Sequence, residues 1–419
     1  METTPSRYGL KGLNFFIAAV EAGFGPFIAV WLTQQGWTQT DVGLALSIGS
    51  GAALLGQLPG GWAVDHAHRK RSILTAALLA IAVAALLVAF LPTTGPVWLA
   101  ESLHSLASCI VTPAIAAVTL RLCGHDSYSQ RLGVNARYAS LGAAGASGFF
   151  GLCAWYISQR SVFVATAALT LPALVALFTI RSNDEATGEQ HHALLHPRER
   201  RRRRIRALHI FREHTLHLFA VCALLFHLAN AAMLPLALNE LAKHTRAAEA
   251  VVSAAVIVPQ IVVALISPWV GRMAQVLGRR PILLAGFAAL PLRGLLFALL
   301  TWAGPSAVPL VLIEVLDGIS ATVFGLTVPL IAADVTTRTG YMNLAIGSLG
   351  LATSLGATAS TTLAGIVTDS FGAPTAFVGL TAIGALAWTV VLVAMPETRP
   401  ASRSGTPTAG IAMAGGQPA

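Results

Sequence analysis

The chain has 419 residues, 55% of them hydrophobic and only 11% charged, whereas a soluble domain carries about a quarter charged residues. That balance excludes an ordinary water-soluble domain. The formal charge of +9 is a matter of topology rather than nucleic-acid binding, because its basic residues gather in particular loops between apolar runs.

Twelve apolar runs recur along the chain, at about 9–32, 41–64, 72–91, 97–120, 132–156, 161–180, 215–240, 248–271, 281–302, 306–333, 342–366 and 373–395. Each is long enough, at about 1.5 Å per residue, to cross a hydrocarbon core of about 30 Å. Backbone amides inside lipid need partners within their own segment, and continuous rather than alternating apolarity selects helices over a barrel. The predicted fold class is an all-α integral membrane protein of twelve transmembrane helices. If successive connections alternate between two sides, one side collects every one of the 27 Lys and Arg residues except Arg160, Lys243, Arg246 and the in-span Arg137 and Arg293. The positive-inside rule then places both termini and the long central loop in the cytoplasm.

The chain also repeats itself. Gly61, Asp65, Arg69 and Lys70 align with Gly271, Gln275, Arg279 and Arg280 at an offset of 210. Pro26 and Pro59 match Pro235 and Pro268 at 209, and Asn135 with Ser140-Leu141-Gly142 matches Asn343 with Ser348-Leu349-Gly350 at 208. The expected organisation is an N-terminal six-helix bundle over 1–180, a basic cytoplasmic linker over 181–213, a C-terminal six-helix bundle over 214–396 and a disordered cytoplasmic tail over 397–419. The linker's five arginines, Arg200 to Arg204, suit anionic lipid headgroups. Its histidines His191, His192 and His196 have no fixed partner that would make them a metal site. Cys109, Cys123, Cys153 and Cys222 form no CxxC pair and read as small buried residues.

The loop between spans 2 and 3, "GGWAVDHAHRKR" at 60–71, resembles the signature loop of the major facilitator superfamily, Gly-x-x-x-Asp-Arg-x-Gly-Arg-Lys. The segment from Gly271 through Gly278 to Arg280 is similar to that family's degenerate second copy, and the resemblance covers essentially residues 8–396. It implies two pseudo-symmetric six-helix bundles around a cavity and an alternating-access cycle. It also implies that Asp65 faces the N-terminus of span 11, near Tyr341, as a conformational latch. A carboxylate is well placed against a helix N-terminus. Gly61, Asp65, Arg69, Lys70, Gly271, Gly278, Arg279 and Arg280 carry that loop chemistry. His66 and His68 replace the family's Arg and Gly. The Gly-Pro pair of the family's antiporters is missing from span 5, which instead carries Gly142, Gly145, Gly148 and Gly151 every third residue, a smooth face for a neighbouring helix.

Ionisable groups inside spans are functional candidates because burying them is expensive. They are Glu21, Glu101, His104 and Arg137 in the first half and His227, Arg293, Glu314 and Asp317 in the second. The family's arrangement puts spans 1, 4, 7 and 10 around the cavity, and all but Arg137 and Arg293 lie there. Glu21, His104, His227, Asn230, Glu314 and Asp317 are the expected proton-coupling and cavity residues, with Glu101, Arg137 and Arg293 as charge partners. A carboxyl whose surroundings alternate between wet and dry changes its proton affinity, as coupling requires. Glu101-x-x-His104 is half of a di-iron pattern, but span 10 offers Glu314-x-x-Asp317 instead of a second copy, which disfavours a metal.

These readings converge on a proton-coupled secondary transporter of a small organic solute in a bacterial inner membrane, with export favoured over uptake. No nucleotide-binding GxxxxGK[ST] loop occurs, and neither HExxH nor Gly-x-Ser-x-Gly is present. An intramembrane enzyme or a non-transporting sensor is the alternative. No cofactor, metal or nucleic acid is implied. The expected partners are the solute, protons and anionic lipids, and the chain is expected to act as a monomer.

Overall fold

The computed structural model describes residues 4–67, 69–180, 210, 212–242, 248–337 and 339–399. The described residues form thirteen helical stretches: α1 Thr4–Ala22, α2 Gly25–Gln34, α3 Gln39–His66, α4 Lys70–Phe90, α5 Thr94–Tyr156, α6 Gln159–Thr179, α7 His214–Asn230, α8 Met233–Ala242, α9 Ala248–Val276, α10 Arg279–Ala303, α11 Ala307–Thr336, α12 Met342–Phe371 and α13 Ala373–Ala394. They make twelve crossings. Span 1 is α1 with α2, span 7 is α7 with α8, and α5 contributes both span 4 and span 5.

The expected 4–5 connection is thus shorter than the apolar runs suggested. Helical geometry persists through all 63 residues of α5 except at Gly124, whose φ of 69° and ψ of 172° reverse the chain. Positive φ of this kind is cheap only without a Cβ. The reversal is shown by bonds between the two limbs, from the Tyr128 hydroxyl to the Ala116 carbonyl and from Asn135 Nδ2 to Thr119 Oγ1.

Spans 1 and 7 are both broken at corresponding places. Gly23 and Phe24 interrupt span 1 just after Glu21, and Ala231 and Ala232 interrupt span 7 just after Asn230. Pro26 in the first turn of α2 and Pro235 in that of α8 mark the two restarts. Such breaks are tolerated in a membrane where the freed backbone groups face protein or a cavity. Elsewhere polar side chains start the helices: Thr38 accepts from the Asp41 N–H at α3, and Ser158 accepts from Ser161 at α6.

Each half has its own apolar core. Leu13, Leu78, Ile81 and Phe163 belong to the first, and Phe219, Phe287, Leu290 and Leu326 to the second. Large apolar residues also cover the perimeter, such as Leu86, Phe178, Leu265 and Val393, as lipid contact requires. Trp155, Tyr156 and Trp302 stand exposed where spans 5 and 9 end, as an interfacial aromatic girdle does. Twelve crossings return the chain to the face on which it began. The linker's Arg200–Arg204 run and residues 400–419 lie outside the described residues, as do His68, Arg338, Lys243 and Arg246.

Candidate functional site

The halves meet most closely on the face that carries the basic loops. Asp65, at the end of α3, accepts hydrogen bonds from the Asn343 N–H at 3.2 Å, the Asn343 side-chain amide at 2.7 Å and the Leu344 N–H at 2.8 Å. The first turn of a helix has amides without intrahelical acceptors, and a carboxylate satisfies them. Gly61 lies one turn back, where a Cβ would overlap the Asn343 carbonyl, and a Cβ on Gly347 would overlap that of Gln57. Lys70 is buried and donates to the Val64 carbonyl, closing the end of its own loop. His66, in the family's Arg position, turns back on its own helix: Nδ1 lies 2.9 Å from the Trp62 carbonyl, and the ring packs on Trp62 and Tyr341.

The second contact repeats the first with different chemistry. The Ser129 hydroxyl donates to the Gly271 carbonyl, and Gln275, at the position matching Asp65, donates its amide to the Asp126 carbonyl. A Cβ on Gly133 would overlap the Ser267 carbonyl. Arg137 Nε donates to the Ala264 carbonyl at 2.8 Å, and its terminal nitrogen reaches Leu265 at 3.4 Å. Pro268 has no N–H to give the carbonyl four residues earlier, so Arg137 satisfies the acceptor that this proline frees. Arg137 is therefore not a partner of Glu21, because its guanidinium is committed to backbone across the interface.

The rest of the second loop is tied to its own bundle. Arg279 forms a buried ion pair with Asp334 at 3.0 Å. Glu397 accepts from the backbone N–H of Arg279 at 2.8 Å and of Arg280 at 3.1 Å, while Arg399 donates to the Val276 carbonyl at 2.5 Å. A Cβ on Gly278, whose φ is 104°, would overlap the Glu397 carboxylate. Burial pushes the Glu397 carboxyl up, but the N–H groups of Arg279, Arg399 and Arg280 and the Arg279 charge outweigh it and hold it below the ordinary glutamate range. Of the segment expected to be disordered over 397–419, the described residues Glu397, Thr398 and Arg399 are bonded to the second bundle.

Two ionisable clusters lie deeper in the spans. In the first half, Ser108 donates to Glu21 at 2.8 Å, and His104 Nε2 lies 3.2 Å from the same carboxylate. Phe24, at the break in span 1, stacks on His104 with centroids 3.9 Å apart. Glu101 is buried beside Gly49, where a Cβ would come within 2.6 Å of its carboxylate, and it forms no ion pair among the described residues. In the second half, the buried Arg293 bridges two acids, 2.7 Å from Glu314 and 2.7 Å from Asp317. It also donates to Asn230 Oδ1 at 2.5 Å, while Asn230 Nδ2 donates to Asp317 at 3.1 Å. Glu314 is fully enclosed, whereas the Asp317 side chain is 21% exposed. His227 bonds the Ala223 carbonyl and packs edge-on against Phe324, outside the Arg293 network.

Between the halves, on the gate side of both clusters, lies a cavity of about 480 Å³ lined by spans 1, 2, 4, 5, 10 and 11. Its lining includes none of Glu21, His104, His227, Asn230, Glu314 or Asp317. Ser108 joins it to the Glu21 cluster, and Phe324 separates it from His227.

A family model described as Major Facilitator Superfamily matches residues 12–226 and 219–415. This chain belongs to the major facilitator superfamily. Proteins named uncharacterized MFS-type transporter from two strains of Mycobacterium tuberculosis, CDC 1551 and H37Rv, are 33% identical over 404 residues, covering 92% of each chain. Among solved structures, the superfamily transporter FucP in its outward conformation overlays with a TM-score of 0.71 at 15% identity, over 92% of this chain and 97% of that one. A single-substitution variant of the same protein, described as the E. coli fucose:proton symporter, gives 0.65 at 15% identity over the same shares of the two chains. As a member of this superfamily the chain is a multi-pass membrane transporter and not an enzyme.

Within that superfamily frame, several residues escaped the sequence. Ser108, Gln57, Phe24 and Phe324 carry no charge and so gave no signal, and Asn135 was noticed only as a repeat match. The glycine stripe of span 5 is not a single packed face. Gly142 abuts the Phe15 backbone, but a Cβ on Gly145, Gly148 or Gly151 would meet open space.

Proposed function

We propose that the chain moves a small organic solute by alternating access, coupled to protons, with both termini and the closed basic face on the cytoplasmic side of a bacterial inner membrane. The observation that carries the coupling is the stoichiometry around Arg293: one guanidinium between two carboxylates leaves one formal negative charge inside the membrane. A proton on Asp317, the more exposed acid, neutralises it. Alternating exposure of the space beside Asp317 to the two sides gives that proton a route from one compartment to the other. Glu21 with His104 forms the corresponding group in the first half.

Closure by Asp65 on span 11 and by span 5 on span 8 supports a rocking motion of rigid bundles. Arg200–Arg204 attract anionic headgroups on the same face. The chain works as a monomer, and export is the direction we assign, on the apolar character of the spans. The test is flux of labelled solutes in proteoliposomes with and without an imposed pH gradient. Wild type accumulates solute only with the gradient, Glu21→Gln and Asp317→Asn lose that dependence, and flux unchanged in both variants rejects the coupling.

A further inference from the structure

Span 2 meets span 11 along one stripe of residues four apart, a spacing that keeps them on one helical face. Asp65 bonds Asn343 and Leu344, Gly61 abuts the Asn343 carbonyl, and Gln57 ends the stripe on its deep side. A Cβ on Gly347 would overlap the Gln57 carbonyl, and one on Gly350 would overlap the Gln57 side-chain amide. That amide therefore rests on the other half of the molecule.

Gln57 is also where the stripe enters the cavity of about 480 Å³ between the halves, whose lining on span 11 includes Ile346, Gly347 and Gly350. Unlike Asp65, it spends none of its side-chain hydrogen bonds. Gln57 is half-buried, its amide oxygen and nitrogen are accessible, and neither is bonded among the described residues. No partner fixes which way the amide points, so it offers a donor and an acceptor side by side. Any occupant that desolvates it must supply those bonds or lose affinity. Among the described residues lining the cavity there is no Asp, Glu, Lys, Arg or His, so an ion there would lack a countercharge.

We infer that Gln57 selects the solute and links it to the gate: the cavity takes an uncharged molecule presenting an amide-type pair of adjacent donor and acceptor to Gln57, and its binding holds the basic face closed. This rests on the transporter reading and names a substrate class for it. A solute bonded to Gln57 on span 2 and lying against Gly347 and Gly350 on span 11 touches both walls only while the halves are together. A ligand with more contacts in one state shifts the population toward that state. A site built around a hydrogen-bonding group also rejects the analogue that cannot complete the pair.

The test follows thermal unfolding of the full-length protein in detergent with 4-phenylbutyramide, its methyl ester analogue methyl 4-phenylbutyrate, or 4-phenylbutyrate. The amide raises the unfolding temperature with dose, the ester, which has no donor, needs about tenfold more for the same rise, and the carboxylate gives none. Gln57→Met keeps the side chain's length and makes amide and ester equal. Spin labels at positions 121 and 337, exposed on opposite halves, read the gate: the amide enlarges the short-distance population, most visibly in Asp65→Asn protein, whose closing bonds are weakened. No stabilisation by the amide, amide and ester equal in unmutated protein, a carboxylate as effective as the amide, a Gln57→Met protein that still tells amide from ester, or label distances that stay or lengthen on binding overturns the assignment. If Gln57→Met does not fold, the compounds and label distances in protein that keeps Gln57 decide alone. Because neither readout needs flux or a gradient, a protein that transports but fails here rejects this inference alone. One that passes here yet moves nothing across a vesicle rejects the transport reading.

Discussion

The Asp65 carboxylate in the first half is bonded at 2.8 Å to the backbone N–H of Leu344, 279 positions further along the chain. With Asn343 supplying two more donors, this carboxylate spans the halves at the one end where they close. It binds span 11 only while the bundles are together, so its bonds stabilise the closed basic face and nothing else.

Asp65→Asn should therefore favour opening of that face. Replacing one carboxylate oxygen by an NH₂ sets a donor against a donor and removes the charge. Hydrogen bonds to charged groups contribute roughly 1.5–3 kcal/mol, which shifts the population by roughly ten- to a hundredfold. Spin labels at positions 121 and 337, exposed on opposite halves beside the gate, should show a longer mean distance in the variant. An unchanged distribution would remove Asp65 from the role of latch.

Gly61 and Gly145 make a matched pair of substitutions. A Cβ at 61 would overlap the Asn343 carbonyl, whereas at 145 it would meet open space. Gly61→Ala should hold the gate ajar at a cost of about 1–3 kcal/mol, read with the same labels. Gly145→Ala should leave gate and flux intact and raise thermal stability slightly, since Ala is the better helix former by about 1 kcal/mol. Equal effects at both positions would contradict the packing described for α3 against α12.

Apolar run length was enough to place the helices, because lipid forces every crossing to be long and continuously apolar. Spans 2, 9 and 12 begin and end within two residues of their runs. The turn at Gly124 was misjudged because "RLCGHDSYSQR" is polar enough to read as a loop, although its backbone stays helical on both sides of one glycine. The acids were legible by their cost in lipid, and Arg293 by the same rule. Of their uncharged partners, Asn230 was expected beside them but Ser108 was not, because hydropathy does not distinguish a bonding hydroxyl from a packing one. The commitment of Arg137 to Ala264 required knowing that Pro268 faces it across the interface.

Glu397 predicts a pH-dependent anchorage of residues 397–399. Its carboxyl is held below the ordinary value of 4.5 by backbone N–H groups of Arg279, Arg399 and Arg280, against the opposing pull of burial. A group with a depressed folded-state pKa contributes stability above its unfolded value and loses it as pH falls through the folded one. Proteolysis after residue 396 should thus be slow at neutral pH and accelerate only once pH drops below about 4.5. Glu397→Gln should be cut readily at every pH. A wild-type cleavage rate that rises instead with increasing pH between these limits would have the wrong sign.

The Arg293 network predicts an order of damage set by burial. Arg293→Met leaves the fully enclosed Glu314 and the partly exposed Asp317 facing one another without a cation. Breaking a buried pair from one side costs about 3–5 kcal/mol. Asp317→Asn keeps the one-to-one Arg293–Glu314 pair and still accepts from Asn230 and Arg293 through its remaining oxygen, so it should cost less than about 1 kcal/mol. Adding Glu314→Leu and Asp317→Asn to Arg293→Met should recover most of the loss, because an apolar replacement of a buried ion pair is often neutral. Thermal unfolding in detergent measures all three. If Arg293→Met is no less stable than Asp317→Asn, the guanidinium is not the element that holds the two acids of span 10 inside the membrane.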